Sequence, residues 1–308
     1  MKILITGSNG LLGQKLVYKL RGHAEHQCIA TARGENRLVQ KEGYTYVSLD
    51  ITKREEVKAV FEAQMPDVVI NTAAMTNVDA CETDREGALL LNAHSVTYQV
   101  EALEELQKKN SAYHPQFIHL STDFIFDGSH GPLDESEKPN PLSYYGETKL
   151  MAEETVIHSS LHWAIARTVL VFGIVDNMSR SNIVLWVKNN LEQGKTINVV
   201  DDQFRTPTLA EDLADGCLLM AYKKAQGIYN ISGKDFYSIL DLARTVADYY
   251  GLNKDLIKPS KSADIKQPAK RPPTTGFIID KAKNDLDYAP HSFKEGIRLL
   301  EDQLKDMS

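Results

Sequence analysis

The tightest constraint on this chain lies in its first twenty residues. Residues 2–6 (KILIT) form a short apolar, β-branched run, the pattern of a strand buried on both faces. The run passes straight into GSNGLLG, residues 7–13, and then into the amphipathic LLGQKLVYKL. Strand, glycine turn and helix in that order predict a β–α unit. Gly7 makes the tight turn, Gly10 lets backbone N–H groups approach a pyrophosphate, and Gly13 lets the helix pack closely on the strand. The helix N-terminus then faces the anion. A glycine turn without a ligand has the same local pattern; its place one strand from the N-terminus favours nucleotide binding.

The alternation continues. Residues 27–32 (QCIATA) read as a second strand ending at Arg33, and residues 44–49 (YTYVSL) as a third ending at Asp50 and Ile51. TKREEVKAVFEAQ follows as a helix with Thr52 as the expected N-cap. Residues 67–71 (DVVIN) give a fourth strand, leading into a small-residue turn at Ala73 and Ala74 where a cofactor backbone can come close. Strands alternating with helices predict an α/β fold with a parallel, doubly wound Rossmann-type sheet and right-handed crossovers. After Phe172 the alternation weakens through segments containing DNMSRSN, EQGKTINVV and IKPSKSADIKQPAKRPP. Residues 1–172 are therefore expected to form the cofactor-binding domain, with segments rejoining it near 197–232, among them a strand at 227–232. The remainder of 173–308 is expected to form a smaller mixed C-terminal substrate lobe.

Composition excludes several classes. A net charge of −7 argues against a general nucleic-acid surface. No apolar run approaches the roughly 18 residues needed to cross a bilayer. Cys28, Cys81 and Cys217 are far apart and lack C-x-x-C spacing, as expected of buried thiols in a reducing compartment. The strand pattern at residue 2 leaves no leader sequence, so a cytoplasmic location is expected. The histidines, His114 and His119 among them, lack metal spacing; no metal is expected, and both read as structural or exposed.

The chemistry-bearing candidate is SYYGETK, residues 143–149. Tyr145 and Lys149 stand four apart in a helix-forming stretch, on one helix face. An ammonium beside a phenol stabilises the phenolate and lowers the tyrosine pKa, making it a usable proton donor and acceptor. At the second strand end, where an acidic residue would bind a ribose 2′-hydroxyl, the chain has Arg33, with Arg37 beyond it. An arginine there suits a 2′-phosphate, so NADPH is expected over NADH, which remains possible.

The G-x-x-G-x-x-G spacing together with Tyr145 and Lys149 resembles the short-chain dehydrogenase/reductase superfamily. Within it, residues 71–82 (NTAAMTNVDACE), residues 117–128 (FIHLSTDFIFDG), YGETK, the DQFRTPT run at 202–208 and Arg271-Pro272 resemble, in order, the motifs of dTDP-4-dehydrorhamnose reductases. The resemblance implies a reductase of a nucleotide-linked 4-keto-6-deoxysugar with Tyr145 as proton donor and Lys149 as its partner on the nicotinamide ribose. Thr122 is implied as the oxyanion donor, although strand alternation alone leaves Ser121 open. Cofactor contacts are implied at Gly7, Asn9, Gly10, Leu11, Leu12, Arg33, Asp50, Ile51, Ala73, Ala74, Thr76, Asn92, Tyr145 and Lys149. Substrate contacts fall at Asp123, Phe124, Arg205 and Arg271, the arginines as phosphate ligands. A nucleotide sugar is the expected partner, and a homodimer is possible. The chain departs from R-T-S-W-x-Y, reading Arg167 to Phe172 as RTVLVF, and has Lys15 where some members carry an acidic ligand of a metal-linked dimer. A different 4-keto sugar is thus an alternative substrate. Two other readings share the family: an NADP-binding, non-catalytic subunit like methionine adenosyltransferase beta, and a nucleotide-sugar epimerase with retained NAD.

Overall fold

The computed structural model describes residues 1–177 and 181–306, so the middle of the DNMSRSN stretch lies outside the described residues. The strands are β1 (Lys2–Thr6), β2 (Gln27–Ala32), β3 (Thr45–Ser48), β4 (Val68–Asn71), β5 (Gln116–Thr122), β6 (His162–Thr168), β7 (Val171–Phe172), β8 (Ile197–Val200), β9 (Phe204–Arg205), β10 (Thr208–Leu209), β11 (Gly227–Asn230), β12 (Tyr237–Ser238) and β13 (Ile257–Ser260). Seven of them make one parallel sheet in the order β11-β6-β5-β4-β1-β2-β3. The order reverses direction between β1 and β4, which marks the crevice where open α/β sheets take ligands.

The helices are α1 (Leu11–Leu20), α2 (Arg54–Gln64), α3 (Val78–Thr83), α4 (Arg85–Leu89), α5 (Ser95–Lys109), α6 (Tyr144–Ile157), α7 (Ile183–Glu192), α8 (Ala210–Tyr222), α9 (Ile239–Tyr250), α10 (Asp280–Leu286) and α11 (Phe293–Asp306). Strand alternation divides the sheet's apolar side chains between two cores. Ile3, Ile5 and Ile118 pack with α1, α8 and α10 on one face; Leu4, Val69 and Phe117 pack with α2, α5 and α6 on the other. A third core joins α7, α9 and α11 in a smaller lobe, where β8 pairs with β13. Of the segments expected to rejoin the sheet, 227–230 does so as β11 beside β6; 197–200 does not, because β8 lies in the small lobe. Among the described residues no helix is long and apolar enough to cross a membrane.

Local chemistry departs from expectation at α2. Its N-cap is Lys53, without a side-chain hydrogen bond. Thr52 instead turns its hydroxyl and N–H onto Asp50 Oδ1, at 2.6 and 3.1 Å, which takes its side chain away from the helix end. All three cysteines are buried and free, as the sequence suggested.

The glycine turn is tight for a specific reason. A Cβ on Gly13 would sit 2.3 Å from Gly7 O and 2.6 Å from Ser8 Cα, so the close approach is to the turn itself rather than to the strand. Neither atom can yield without moving the backbone. Gly13→Ala is therefore expected to destabilise the protein by about 1–3 kcal/mol through overpacking. A urea midpoint unchanged from wild type would refute this account of the turn.

Candidate functional site

The C-terminal ends of β1, β4 and β5 converge on the crevice. Gly7 takes a φ of 72°, and a Cβ there would lie 2.8 Å from the backbone of Ala73, which holds the first turn against the chain leaving β4. Ala74 follows at the same rim. The N-cap of α1 is Gly10, with no side-chain cap and no acidic residue in the first turn, so the N–H groups from Leu11 and Leu12 meet no side-chain competitor. That cradle fits a pyrophosphate. Asn9 does not point into it. Its Nδ2 donates to Glu35 O at 2.8 Å and its Oδ1 accepts from Arg37 N at 2.9 Å, fixing the loop after β2.

That loop forms a recess of about 550 Å³ lined in part by Arg33, Arg37, Lys41 and Asn177. Arg33 is exposed, and its charge acts on Asp50. Burial raises the Asp50 carboxyl, but the bonds from Thr52 and the charge of Arg33 outweigh it and hold the group below its usual range. Ile51 is buried in the core beside it. A larger recess of about 730 Å³ opens at the opposite, N-terminal edge around Met1, Lys2 and Asp67. Ligands of doubly wound sheets bind at the C-terminal edge, so the cradle and its basic recess are the better site.

Above the crevice, Ser143 caps α6 by accepting the Gly146 N–H at 3.3 Å, and Glu82 of α3 accepts the Tyr144 N–H at 2.7 Å. The helix thereby buries both Tyr145 and Lys149. Thr122, at the end of β5, donates its hydroxyl to Asp123 Oδ1 at 3.1 Å and accepts the Phe124 N–H at 3.2 Å; its side chain also acts on the Tyr145 phenol, against whose ring Phe124 packs edge-on. Ser121 Oγ is buried with no partner among the described residues. Of the two residues the alternation left open, Thr122 is the one that acts on the Tyr145 phenol, in the direction that lowers its pKa.

One expectation needs correction. The Lys149 amine does not hold the phenol's proton off. It donates to Leu120 O at 2.6 Å and lies 3.2 Å from His119 Nε2. Burial pushes the Tyr145 phenol up, with Asp123 and Cys81 adding to the rise and only Thr122 opposing it. Burial also pulls Lys149 down to about 8 against the charge of Glu153. Desolvation, not Coulomb attraction within the pair, governs both groups.

The substrate-side residues are sorted by burial. Asp123 is buried against Arg205, whose Nε lies 3.4 Å from Oδ2, and accepts the Thr275 hydroxyl. The Arg205 guanidinium also donates to the carbonyls of Phe204, Pro272 and Pro273. Buried and engaged on every side, Arg205 is a brace between lobes and not a phosphate ligand. Arg271, partly exposed, forms a forked pair with Asp79 at 2.7 and 3.3 Å. Asn92 is likewise turned inward. It clamps both backbone groups of Met75 and accepts no outward role, its Nδ2 also reaching Thr148 Oγ1 at 3.1 Å. Thr76 sits on that clamped segment, at its exposed side. Leu170 holds the place of the family tryptophan at a φ of 39°, uncommon for a bulky residue, and packs by Val169 and Phe277.

Sequence reasoning missed the ties around the cradle. Asp176 accepts from the Tyr18 hydroxyl and from Val39 N, and Gln14 bonds the Asp176 backbone, linking the chain after β7 to α1 and the β2 loop. These partners are up to 162 residues apart, and no local spacing signals them. Lys15 pairs with Glu211 at 2.7 Å.

The model of the RmlD substrate binding domain family matches residues 1–305. A probable low-salt glycan biosynthesis reductase of Haloferax volcanii is 28% identical, covering 100% of both chains. The methionine adenosyltransferase 2 subunit beta of Xenopus tropicalis is 30% identical over 84% of this chain and 75% of its own. The crystal structure of a dTDP-4-dehydrorhamnose reductase from Clostridium acetobutylicum superposes with a TM-score of 0.84 at 28% identity, covering 99% of this chain and 100% of the other.

The Arg205 brace has a measurable consequence. Arg205→Met leaves the Asp123 carboxylate buried and unpaired, and is expected to cost about 3–5 kcal/mol in urea unfolding. Adding Asp123→Asn to it removes that charge and should recover much of the loss. No recovery in the double variant would show that the pair does not act as one unit.

Proposed function

The chain belongs to the RmlD substrate binding domain family, and from that premise we propose that it is an NADPH-dependent oxidoreductase that reduces a nucleotide-linked 4-keto-6-deoxysugar, as the names of its reductase relatives suggest. The observation that carries this reading is the burial of Tyr145 and Lys149 together on α6, with Thr122 buried at the end of β5, beside the glycine cradle. The glycine cradle fits the pyrophosphate and the Arg33–Arg37 recess the 2′-phosphate of the cofactor.

NADPH, when bound, supplies the hydride to C4. The chain's own residues manage the proton. Tyr145 donates its phenolic proton to the C4 oxygen, and its burial keeps it protonated, the form a donor must have before reduction. Thr122 turns its hydroxyl from Asp123 Oδ1, where it rests at 3.1 Å, to the same oxygen and stabilises charge as it develops. Lys149 would hold the nicotinamide ribose. Asp123 and Phe124 shape the sugar side, and Arg271 is offered to the substrate diphosphate in exchange for Asp79.

A second reading, a subunit of a larger enzyme, is favoured by the likeness to the Xenopus protein. Oxidation of NADPH in the presence of dTDP-4-keto-6-deoxysugars separates the two, since a scaffold shows none.

Tyr145→Phe removes the proton donor alone. Turnover is expected to fall by roughly 10²–10⁴-fold with NADPH affinity within a few-fold, and full activity would sink the assignment. Arg33→Ala should raise the dissociation constant for NADPH by roughly tenfold, the worth of one exposed charge-assisted contact, and leave that for NADH nearly unchanged. The difference should shrink with added salt. Equal losses for both cofactors in paired titrations would reduce Arg33 to a solvated loop residue.

A further inference from the structure

The loop that carries Arg33 and Arg37 has no helix or strand between residues 33 and 41, so its backbone groups are held from outside. Its two ends are fixed by nearby groups. The Tyr46 hydroxyl donates to Gly34 O at 2.7 Å, Asn9 Nδ2 to Glu35 O at 2.8 Å, and the Tyr44 hydroxyl to Gln40 O at 3.0 Å. Its middle is held by chain from far away in sequence, the segment leaving β7. Asn177 Nδ2 donates to Arg37 O at 3.1 Å. Asp176 Oδ2 accepts the Val39 N–H at 2.8 Å and the Tyr18 hydroxyl as well.

This segment is itself anchored. The Asp176 N–H donates to Gln14 Oε1 at 3.0 Å and the Asp176 carbonyl accepts from Gln14 Nε2 at 3.2 Å, with Gln14 buried in α1. Asn182 closes its base, donating to Gly173 O at 2.8 Å while capping α7. The peptide groups of Arg37 are thereby gripped on both sides, the N–H by Asn9 and the carbonyl by Asn177. Arg33 follows directly from β2, whereas Arg37 stands four residues into irregular chain. Both line the same recess, together with Lys41 and Asn177. A loop that orders only as its ligand arrives loses part of the binding energy to ordering; one held in advance does not.

We propose that Asp176 and Asn177 are positioning residues for the 2′-phosphate of the cofactor: by clamping the backbone from Arg37 to Val39 they hold Arg37 at the recess. Selectivity for NADPH then depends on the chain leaving β7 as well as on the end of β2. Asp176 acts as an acceptor and not through its charge, since both donors reach one oxygen and an amide oxygen accepts as well. Tyr18 remains a donor throughout the ordinary pH range, because burial first and then Asp176 push its phenol up to about 12. The proposal rests on the reading of the recess as a 2′-phosphate site and deepens it.

The test compares adenosine 2′,5′-bisphosphate with adenosine 5′-monophosphate, which differ only in that phosphate, in calorimetric titrations of the full-length protein. Asp176→Ala should weaken the bisphosphate about three- to tenfold, the worth of a lost hydrogen bond, and the monophosphate by less than about twofold. Asn177→Gly, which keeps the φ of 52° without strain, should do the same. Asp176→Asn should stay within about twofold of wild type for both nucleotides, its amide oxygen taking the same two bonds. Equal weakening of both nucleotides, no weakening, or an asparagine variant as poor as the alanine one overturns the proposal. Hydrogen exchange on the native chain needs no variant. The bisphosphate should slow exchange in residues 34–40 and 174–177 together, beyond the monophosphate; slowing confined to 34–40 also overturns it. A wild-type protein that binds the two nucleotides equally sinks the 2′-phosphate reading and this proposal with it. A selective wild type with unaltered variants sinks the proposal alone.

Discussion

Helix α6 lies so close to the end of β5 that one of its residues can carry no side chain. A Cβ on Gly146 would stand 2.2 Å from Phe124 O. This contact sets the depth of the helix, and depth decides everything Tyr145 and Lys149 can do. The helix is held there at three points: Asn92 on Thr148 near its start, Glu82 on its first N–H group, and the forked Glu153–Arg167 pair farther along. The last pair is buried on both sides, at 1% and 3% exposure. Breaking a buried pair from one side costs about 3–5 kcal/mol because the other charge remains, so helix position and β6 are locked together.

The smaller lobe is tied through charge to α3 and to the end of β5. Its loop at 269–275 is gripped by Arg205 through the Pro272 and Pro273 carbonyls, and by Asp79 through Arg271 and the Ala269 N–H. The two grips differ in kind. Arg205 and Asp123 are sealed from water, where the attraction is unscreened and neither partner can exchange. Arg271 and Asp79 are partly exposed, where a pair contributes little and an incoming diphosphate competes on equal terms. A fixed brace beside an exchangeable one leaves the loop anchored while its outer arginine is free to change partners.

The sheet was legible in the sequence because strands buried on both faces leave continuous apolar runs; β2 spans the six residues expected of it. The crossover pattern and glycine turn were legible for the same reason, as local spacing reports local geometry. Spacing also brought out Tyr145 and Lys149 as a face, but not what that face meets. His119 reads as an ordinary strand residue until the β5 register and the docking of α6 put it against Lys149, 30 residues away in the chain. Arg205 looked like a phosphate ligand because charge is visible in a sequence and burial of a single side chain is not. The motif carboxylates Asp79 and Glu82 show the same limit: one holds the loop arginine and the other caps α6, roles set by contacts made across 192 and 62 residues.

Burial also explains why the tyrosine–lysine pair departs from the spacing argument. At four residues apart an ammonium could stabilise a phenolate by Coulomb attraction, but only if both charges were tolerated where they lie. Removing each from water costs several kcal/mol even after relaxation, and attraction offsets that only in good geometry with the remaining donors satisfied. Here the amine faces a backbone carbonyl and an imidazole, and the phenol faces Thr122, so the direct geometry is missing. Burial disfavours both charged forms, drawing the lysine down to about 8 and pushing the phenol up. A phenol held this way stays protonated and can give up a proton rather than receive one, which ties the direction of the proposed chemistry to the depth of α6.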